Sequence, residues 1–397
     1  MIGRMSKGAA TAAAVAMLWG CGGGGPAASS SAGNEAPLSA QASLGEKIFN
    51  DVTLSASGRQ SCASCHSADH GHAAPNDLAA QFGGALLDQQ GSRSSPSIRY
   101  LVANSAFHFD AEGTPTGGFF WDGRATSLQD QAARPFVNPH EMANTSVADV
   151  IDKLARASYA AEFQQLFGAD IFGRPDDAFA RITLVLQQYQ REDPDFRPFS
   201  SKYDEFLRGK VNLSESEIRG LALFNRPDKG NCAACHPSAK ASDGSHPLFT
   251  DFSYDNLGVP RNSALAQNAD QAFFDLGLCA REGGVLAARG DLCGAFKVPS
   301  LRNVALRQVF FHNGRFKTLK DTLSFYVQRD TNPERFYPLN PDGTVNKFDD
   351  LPPQYHANVN TSEAPYNRKP GDAPALSDAE IDDVIAFLKT LSDGYRP

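Results

Sequence analysis

The sequence predicts a mainly α-helical chain of two similarly laid-out halves with long irregular loops, and three observations predict it. The motif C-x-x-C-H occurs twice, as Cys62-Ala63-Ser64-Cys65-His66 and Cys232-Ala233-Ala234-Cys235-His236. Each copy follows a Gly-x-x-x-Phe segment of helical character, Gly45 to Phe49 in the first half and Gly220 to Phe224 in the second. Each half also closes on an amphipathic run, residues 178–191 and residues 378–391, and Ser377 stands where it can cap the second.

In chain order, the first twenty residues read as an export signal. Arg4 and Lys7 form a positive region, and residues 9–18 form an apolar core too short to span a bilayer. Leu18-Trp19-Gly20-Cys21 resembles a bacterial lipoprotein box, which makes Cys21 the expected lipidation site; ordinary cleavage nearby is the alternative. Residues 22–40, rich in Gly, Ala and Ser, read as a flexible tether. The expected location is thus the periplasm, with the chain held to a membrane, the outer one, only through its lipid. The formal charge of -8 becomes -10 once Arg4 and Lys7 are lost, a balance that excludes nucleic acid as a partner and suits a basic protein partner.

C-x-x-C-H is demanding chemistry: two thiols must reach two vinyl groups while the adjacent imidazole reaches an iron. Two copies in an exported chain predict two c-type haems, bound through Cys62 and Cys65 with axial His66, and through Cys232 and Cys235 with axial His236. Helix, haem motif, loops and closing helix is the layout of a cytochrome c domain. The Pro- and Asp-rich run 191–200 divides residues 41–198 from residues 199–397. A flat cofactor replaces part of the missing core, which suits loops dense in Gly and Pro and the 27 phenylalanines. Of seven cysteines, Cys21 goes to lipid and four go to haem. Cys279 and Cys293 remain, as a disulfide or as two buried thiols.

The sixth iron position separates carriers from enzymes. Met1, Met5 and Met17 leave with the signal, so Met142 is the one methionine left, and a His/Met pair at both irons is excluded.

Residues 119–142 (FFWDGRATSLQDQAARPFVNPHEM) and 296–326 (FKVPSLRNVALRQVFFHNGRFKTLKDTLSFY) resemble signatures of the bacterial dihaem cytochrome c peroxidase and MauG superfamily. The resemblance spans roughly residues 41–392. It implies a peroxide-reacting first haem, with Glu141 as catalytic acid, Gln131 as distal amide, Pro135 in the same pocket and Trp121 between the haems. Where many of these peroxidases carry a distal histidine, sixteen residues after the proximal one, this chain has Phe82, so the first iron is expected to be open. Tyr326 stands where MauG-like members carry an axial tyrosine and the peroxidases a methionine. Gly230 replaces a surface tryptophan used by MauG itself. The family's inter-domain calcium ion would fall to Ser94, Arg307 and Val309. Residues 325–338 resemble the MbnH-like branch, whose members oxidise tryptophan on a partner.

A carboxylate above an open iron can carry a proton between peroxide oxygens, and an anionic phenolate stabilises oxidised iron. The expected function is therefore a hydrogen peroxide-dependent oxidoreductase that forms high-valent iron and oxidises an aromatic residue on a partner protein. The alternatives are peroxide reduction with electrons from a small cytochrome or cupredoxin, and a non-enzymatic electron carrier.

Overall fold

The computed structural model describes residues 37–397, so the signal segment and Cys21 lie outside the described residues. Residues Leu38–Pro397 form one compact unit. The folded chain begins inside the stretch expected to be tether: Leu38 packs on the first core, and Ser39 caps the first helix while bonding Glu192 at 2.9 Å through its backbone N–H. Among the described residues no helix is long and apolar enough to cross a membrane.

The first core is built from α1 (Ala40–Asn50), α2 (Cys62–Cys65), α3 (Leu128–Val137), α4 (Val147–Leu154), α5 (Ala160–Phe167) and α6 (Pro175–Glu192). The closing helix starts three residues before the predicted run, because Pro175 presets the first turn and Asp176 and Asp177 favour the positive helix end. The second core is built from α7 (Lys202–Leu207), α8 (Glu215–Asn225), α9 (Leu319–Gln328) and α10 (Asp378–Lys389). Ser377 and Glu380 close a reciprocal capping box at the start of α10.

One glycine in each half fixes how the opening and closing helices cross. A Cβ on Gly45 would lie 2.1 Å from the Val185 carbonyl of α6, and one on Gly220 would lie 2.0 Å from the Asp383 carbonyl of α10. One turn on, Phe49 packs its ring on Tyr189, and Phe224 packs on Phe387. Each fully buried Leu, Ile or Phe along these crossings contributes roughly 1.5–3 kcal/mol.

Three short two-stranded antiparallel sheets pin the loops among the described residues: Phe82–Gly83 with Gln89–Gln90, His108–Phe109 with Pro115–Thr116, and Tyr254–Asp255 with Phe296–Lys297. Cys279 and Cys293 form a disulfide inside a satellite core beneath the third. The two main cores are tied by polar groups. The Tyr100 hydroxyl donates to Asp393 at 2.8 Å, and Asn303 donates to the same carboxylate at 2.6 Å. Within the second half, Arg302, 1% exposed at its side chain, makes a bidentate pair with the fully buried Asp204, 2.9 Å on each arm.

Candidate active site

The first cavity is lined by Cys62, Cys65 and His66, and by Gln131, Pro135, Glu141 and Met142. Burial pushes the Cys62 thiol up to about 12 and Cys65 to about 11, so they stay neutral and protonated near pH 7. The His66 Nδ1 faces the His72 carbonyl at 3.2 Å. That acceptor assigns the proton to Nδ1, leaving the Nε2 lone pair for a metal, and burial keeps the ring neutral.

The opposite wall follows from the end of α3. Gln131 and Pro135 are four apart and share a face, and Pro135, without an N–H, leaves the Gln131 carbonyl outside the helical ladder. Beyond α3 the chain turns so that the Glu141 N–H donates to the Asn138 carbonyl at 3.0 Å and its carbonyl accepts from Gly84 at 2.8 Å. Gly83 permits that approach: a Cβ there would lie 2.6 Å from the Glu141 carbonyl oxygen. Burial raises the Glu141 carboxyl above its ordinary 4.5, against the lowering pull of Arg124 and of the Asn138 side chain.

Phe82 sits at the mouth, 42% exposed, with no atom able to ligate iron. The neighbouring histidines are engaged elsewhere. His70 bonds Gln308 at 2.9 Å, and His72 stacks on Phe196 and accepts from Arg99 at 3.1 Å. His140, which the sequence reading passed over, also lines this cavity, beside Glu141.

The second, larger cavity is lined by Cys232, Cys235, His236 and Tyr326. The His236 Nδ1 faces the Phe249 carbonyl at 2.7 Å, repeating the arrangement at His66. Burial pushes both thiols up to about 12. Tyr326, on α9, lies between Phe311 at 5.5 Å and Tyr366 at 6.1 Å, and burial drives its hydroxyl far up. In such a place a phenol would ionise only against a strong positive charge, such as a ferric iron held in this cavity would supply. The free thiols, neutral imidazoles and two large apolar cavities fit two covalently held haems.

Trp121, 7% exposed, lines the second cavity and the smaller one beside it, and its Nε1–H donates to the Ser94 carbonyl at 2.9 Å. Two basic groups nearby carry no local sequence signature. Lys297 lies on the same two walls, with Nζ donating to the Gly118 carbonyl at 2.6 Å, and burial pushes it down to about 7. Arg93, on the first cavity, holds Asp275 with two bonds of 2.6 and 2.7 Å and Asp122 with one of 2.7 Å. Its partners lie 182 and 29 residues away, beyond the reach of any local pattern.

The bonds that Ser94, Arg307 and Val309 make do not suit calcium. The Ser94 hydroxyl donates to the Phe311 carbonyl at 2.7 Å, and the Val309 carbonyl accepts from the Arg307 guanidinium at 3.3 Å. Calcium takes six to eight oxygens and gains affinity from carboxylates. Here a fixed positive charge occupies one of the oxygens.

Residues 39–212 match a family model described as di-haem cytochrome c peroxidase. The methylamine utilization protein MauG of Paracoccus denitrificans is 34% identical over 368 residues, 90% of each chain. The cytochrome c551 peroxidase of Nitrosomonas europaea is 30% identical over 289 residues, 71% of each. Among solved structures, the diheme peroxidase BthA from Burkholderia thailandensis aligns with a TM-score of 0.82 at 38% identity, covering 90% of this chain and 87% of that one. A MauG-like protein associated with microbial copper homeostasis aligns at 0.62 and 25% identity, covering 90% and 91%. The chain belongs to the dihaem cytochrome c peroxidase and MauG family and is a peroxidase-type oxidoreductase with two c-type haems.

Proposed function

We propose that this protein uses hydrogen peroxide to oxidise an aromatic side chain on a partner protein, in the manner of the MauG-like branch. One observation carries the choice: the second cavity presents the buried phenol of Tyr326, while Met142, the one methionine among the described residues, lies on the first. The haems, bound through Cys62 and Cys65 and through Cys232 and Cys235, supply the redox chemistry with peroxide. His66 and His236 would hold the haem irons, and the Tyr326 oxygen would be a further ligand at the second site.

Around the first site the chain's own residues do the proton work. With the haem in place, the Glu141 carboxylate would take a proton from one peroxide oxygen and return it to the other, the transfer that O–O cleavage with loss of water requires. The Gln131 amide orients the peroxide by donating a hydrogen bond, and Pro135 and Phe82 offer no competing ligand. Trp121 places an easily oxidised ring on the wall of the second cavity. With Gly230 on that cavity in place of a tryptophan, oxidation of a docked partner leaves by another aromatic. The chain works in the periplasm, tethered at Cys21 to the outer membrane.

The 30% identity to a cytochrome c551 peroxidase supports a second reading, in which a reduced small cytochrome or cupredoxin is the electron donor. The two separate by mixing ferric protein with stoichiometric peroxide and then a reduced carrier. The proposal expects oxidising equivalents that persist and drain slowly into the carrier, with faster carrier oxidation and lost persistence in Tyr326→Met. Rapid carrier turnover by the parent, unaltered in Tyr326→Met, would refute it.

A further inference from the structure

Where the two haem cavities approach one another the protein buries a positive charge that it does not neutralise. Arg307 follows the short turn Val304–Leu306 and lines both the second cavity and the smaller one beside Trp121. Its Nε–H donates to the Val309 carbonyl at 3.3 Å, and its Nη2 is buried with no hydrogen-bond partner. No carboxylate pairs with it among the described residues, in contrast to Arg93, Arg302 and Arg329, each of which holds an aspartate. Burial alone pushes it down to about 10, and its charge reaches across to lower the His66 imidazole of the first site.

A guanidinium cannot shed its proton near neutral pH, and an uncompensated buried cation is costly, so such a group implies an anion that arrives with a ligand. Asp255 and Glu363 also line the second cavity, but neither acts electrostatically on Arg307, for which burial is the sole influence. What enters this cavity is a haem, whose two propionate arms carry the missing carboxylates. A planar guanidinium suits bidentate capture of such a group. The same guanidinium holds the Val309 carbonyl, the oxygen that a calcium ion between the halves would need.

We propose that Arg307 is the cation of this junction: it binds a propionate carboxylate of the second haem, and the chain holds no calcium at Ser94, Arg307 and Val309. The two haems therefore meet across a fixed organic charge, which chelators cannot remove and calcium cannot tune. The inference depends on the two haems and not on which reductant the enzyme uses.

The test uses the haem-loaded protein. Elemental analysis after exhaustive dialysis should find calcium far below one per chain, and a chelator should leave thermal unfolding and both haem midpoint potentials where they were. Spectroelectrochemical titration of Arg307→Met should show the second haem's potential shifted downward, because the propionate loses its counter-charge and favours ferric iron, with a smaller shift at the first. Arg307→Lys keeps the charge and should recover most of that shift. One calcium per chain, or unfolding sensitive to the chelator, overturns the proposal. So do potentials unchanged in a fully loaded Arg307→Met protein. If the methionine variant fails to take up haem, a lysine variant whose second-haem potential falls well below the parent's overturns the assignment of charge, and one near the parent's supports it.

Discussion

Replacing Glu141 by Gln removes one ionisable group from a wall that the rest of the loop holds in place. Glutamine has the same length, the backbone bonds to Asn138 and Gly84 do not involve the side chain, and Gly83 still admits the close approach. What is lost is the proton carrier. A positioned acid–base group contributes roughly 10²- to 10⁴-fold to such a step, so the rate of reaction with peroxide should fall by that factor, about 3–5 kcal/mol of activation free energy. Stopped-flow recording of the haem spectrum after mixing ferric protein with peroxide measures it directly. The pH profile gives an independent check. Burial raises the Glu141 carboxyl above 4.5, so the carboxylate needed as base disappears as pH falls through that raised value. The parent should show an acid limb lying above the ordinary glutamate range, and Glu141→Gln should be flat there. An unchanged peroxide rate, or the same acid limb in the variant, would remove Glu141 from the reaction.

The other expectations concern stability. Asp204→Asn leaves the buried Arg302 guanidinium without its counter-ion and should cost about 3–5 kcal/mol in denaturant unfolding of the holoprotein. The Asp204 carboxyl is held far below its usual 3.8 despite burial, chiefly by hydrogen bonding and attraction to Arg302. Its contribution is therefore present above the unfolded-state value and fades as pH falls below it; acid unfolding that is no steeper in the parent than in Asp204→Asn would contradict this. Gly220→Ala drives a methyl group into the Asp383 carbonyl, which outweighs the gain of about 1 kcal/mol in helix propensity. A net loss of roughly 1–3 kcal/mol is expected, and an alanine variant with raised melting temperature would show that α8 and α10 part easily.

Much of the scaffold was legible because it depends on short-range pattern. The two C-x-x-C-H motifs, the glycines one turn before Phe49 and Phe224, and the cap at Ser377 are each contained within a dozen residues. The wall of the first cavity was legible through the family resemblance, and Gln131, Pro135 and Glu141 are placed there by one helix and the turn after it. What escaped is what depends on distant pairing. Arg302 meets Asp204 across 98 residues and Tyr100 meets Asp393 across 293, with no periodicity to announce either contact. The charge of Arg307 was overlooked for a different reason: the resemblance valued that position for its backbone carbonyl, whereas here the side chain dominates. The start of the fold at Leu38 was hidden because one leucine and a capping serine look like the end of a linker until Glu192 is brought to them.

The asymmetry between the two sites has a compact origin in a repeat that the sequence also contains. Phe119 to Leu128 (FFWDGRATSL) and Phe310 to Leu319 (FFHNGRFKTL) adopt the same course. Phe119 bridges Ala125 as Phe310 bridges Phe316, and Phe120 and Phe311 share a left-handed backbone at φ 65° and 64°. Ser127 then caps α3, and Thr318 caps α9, each accepting from the aspartate N–H three residues on. In this register α3 and α9 are equivalent helices of 10 residues each, and the position that carries Tyr326 in the second half carries Pro135 in the first. One helix face therefore offers a phenol oxygen to its cavity, while its counterpart offers a ring of carbons that can bind nothing. The same substitution weakens the end of α3, because proline forfeits a helical hydrogen bond, and the chain leaves the helix in the turn that delivers Glu141. A single residue type at one register position thus keeps a phenol off the wall of the first cavity and precedes the turn that delivers Glu141 to it.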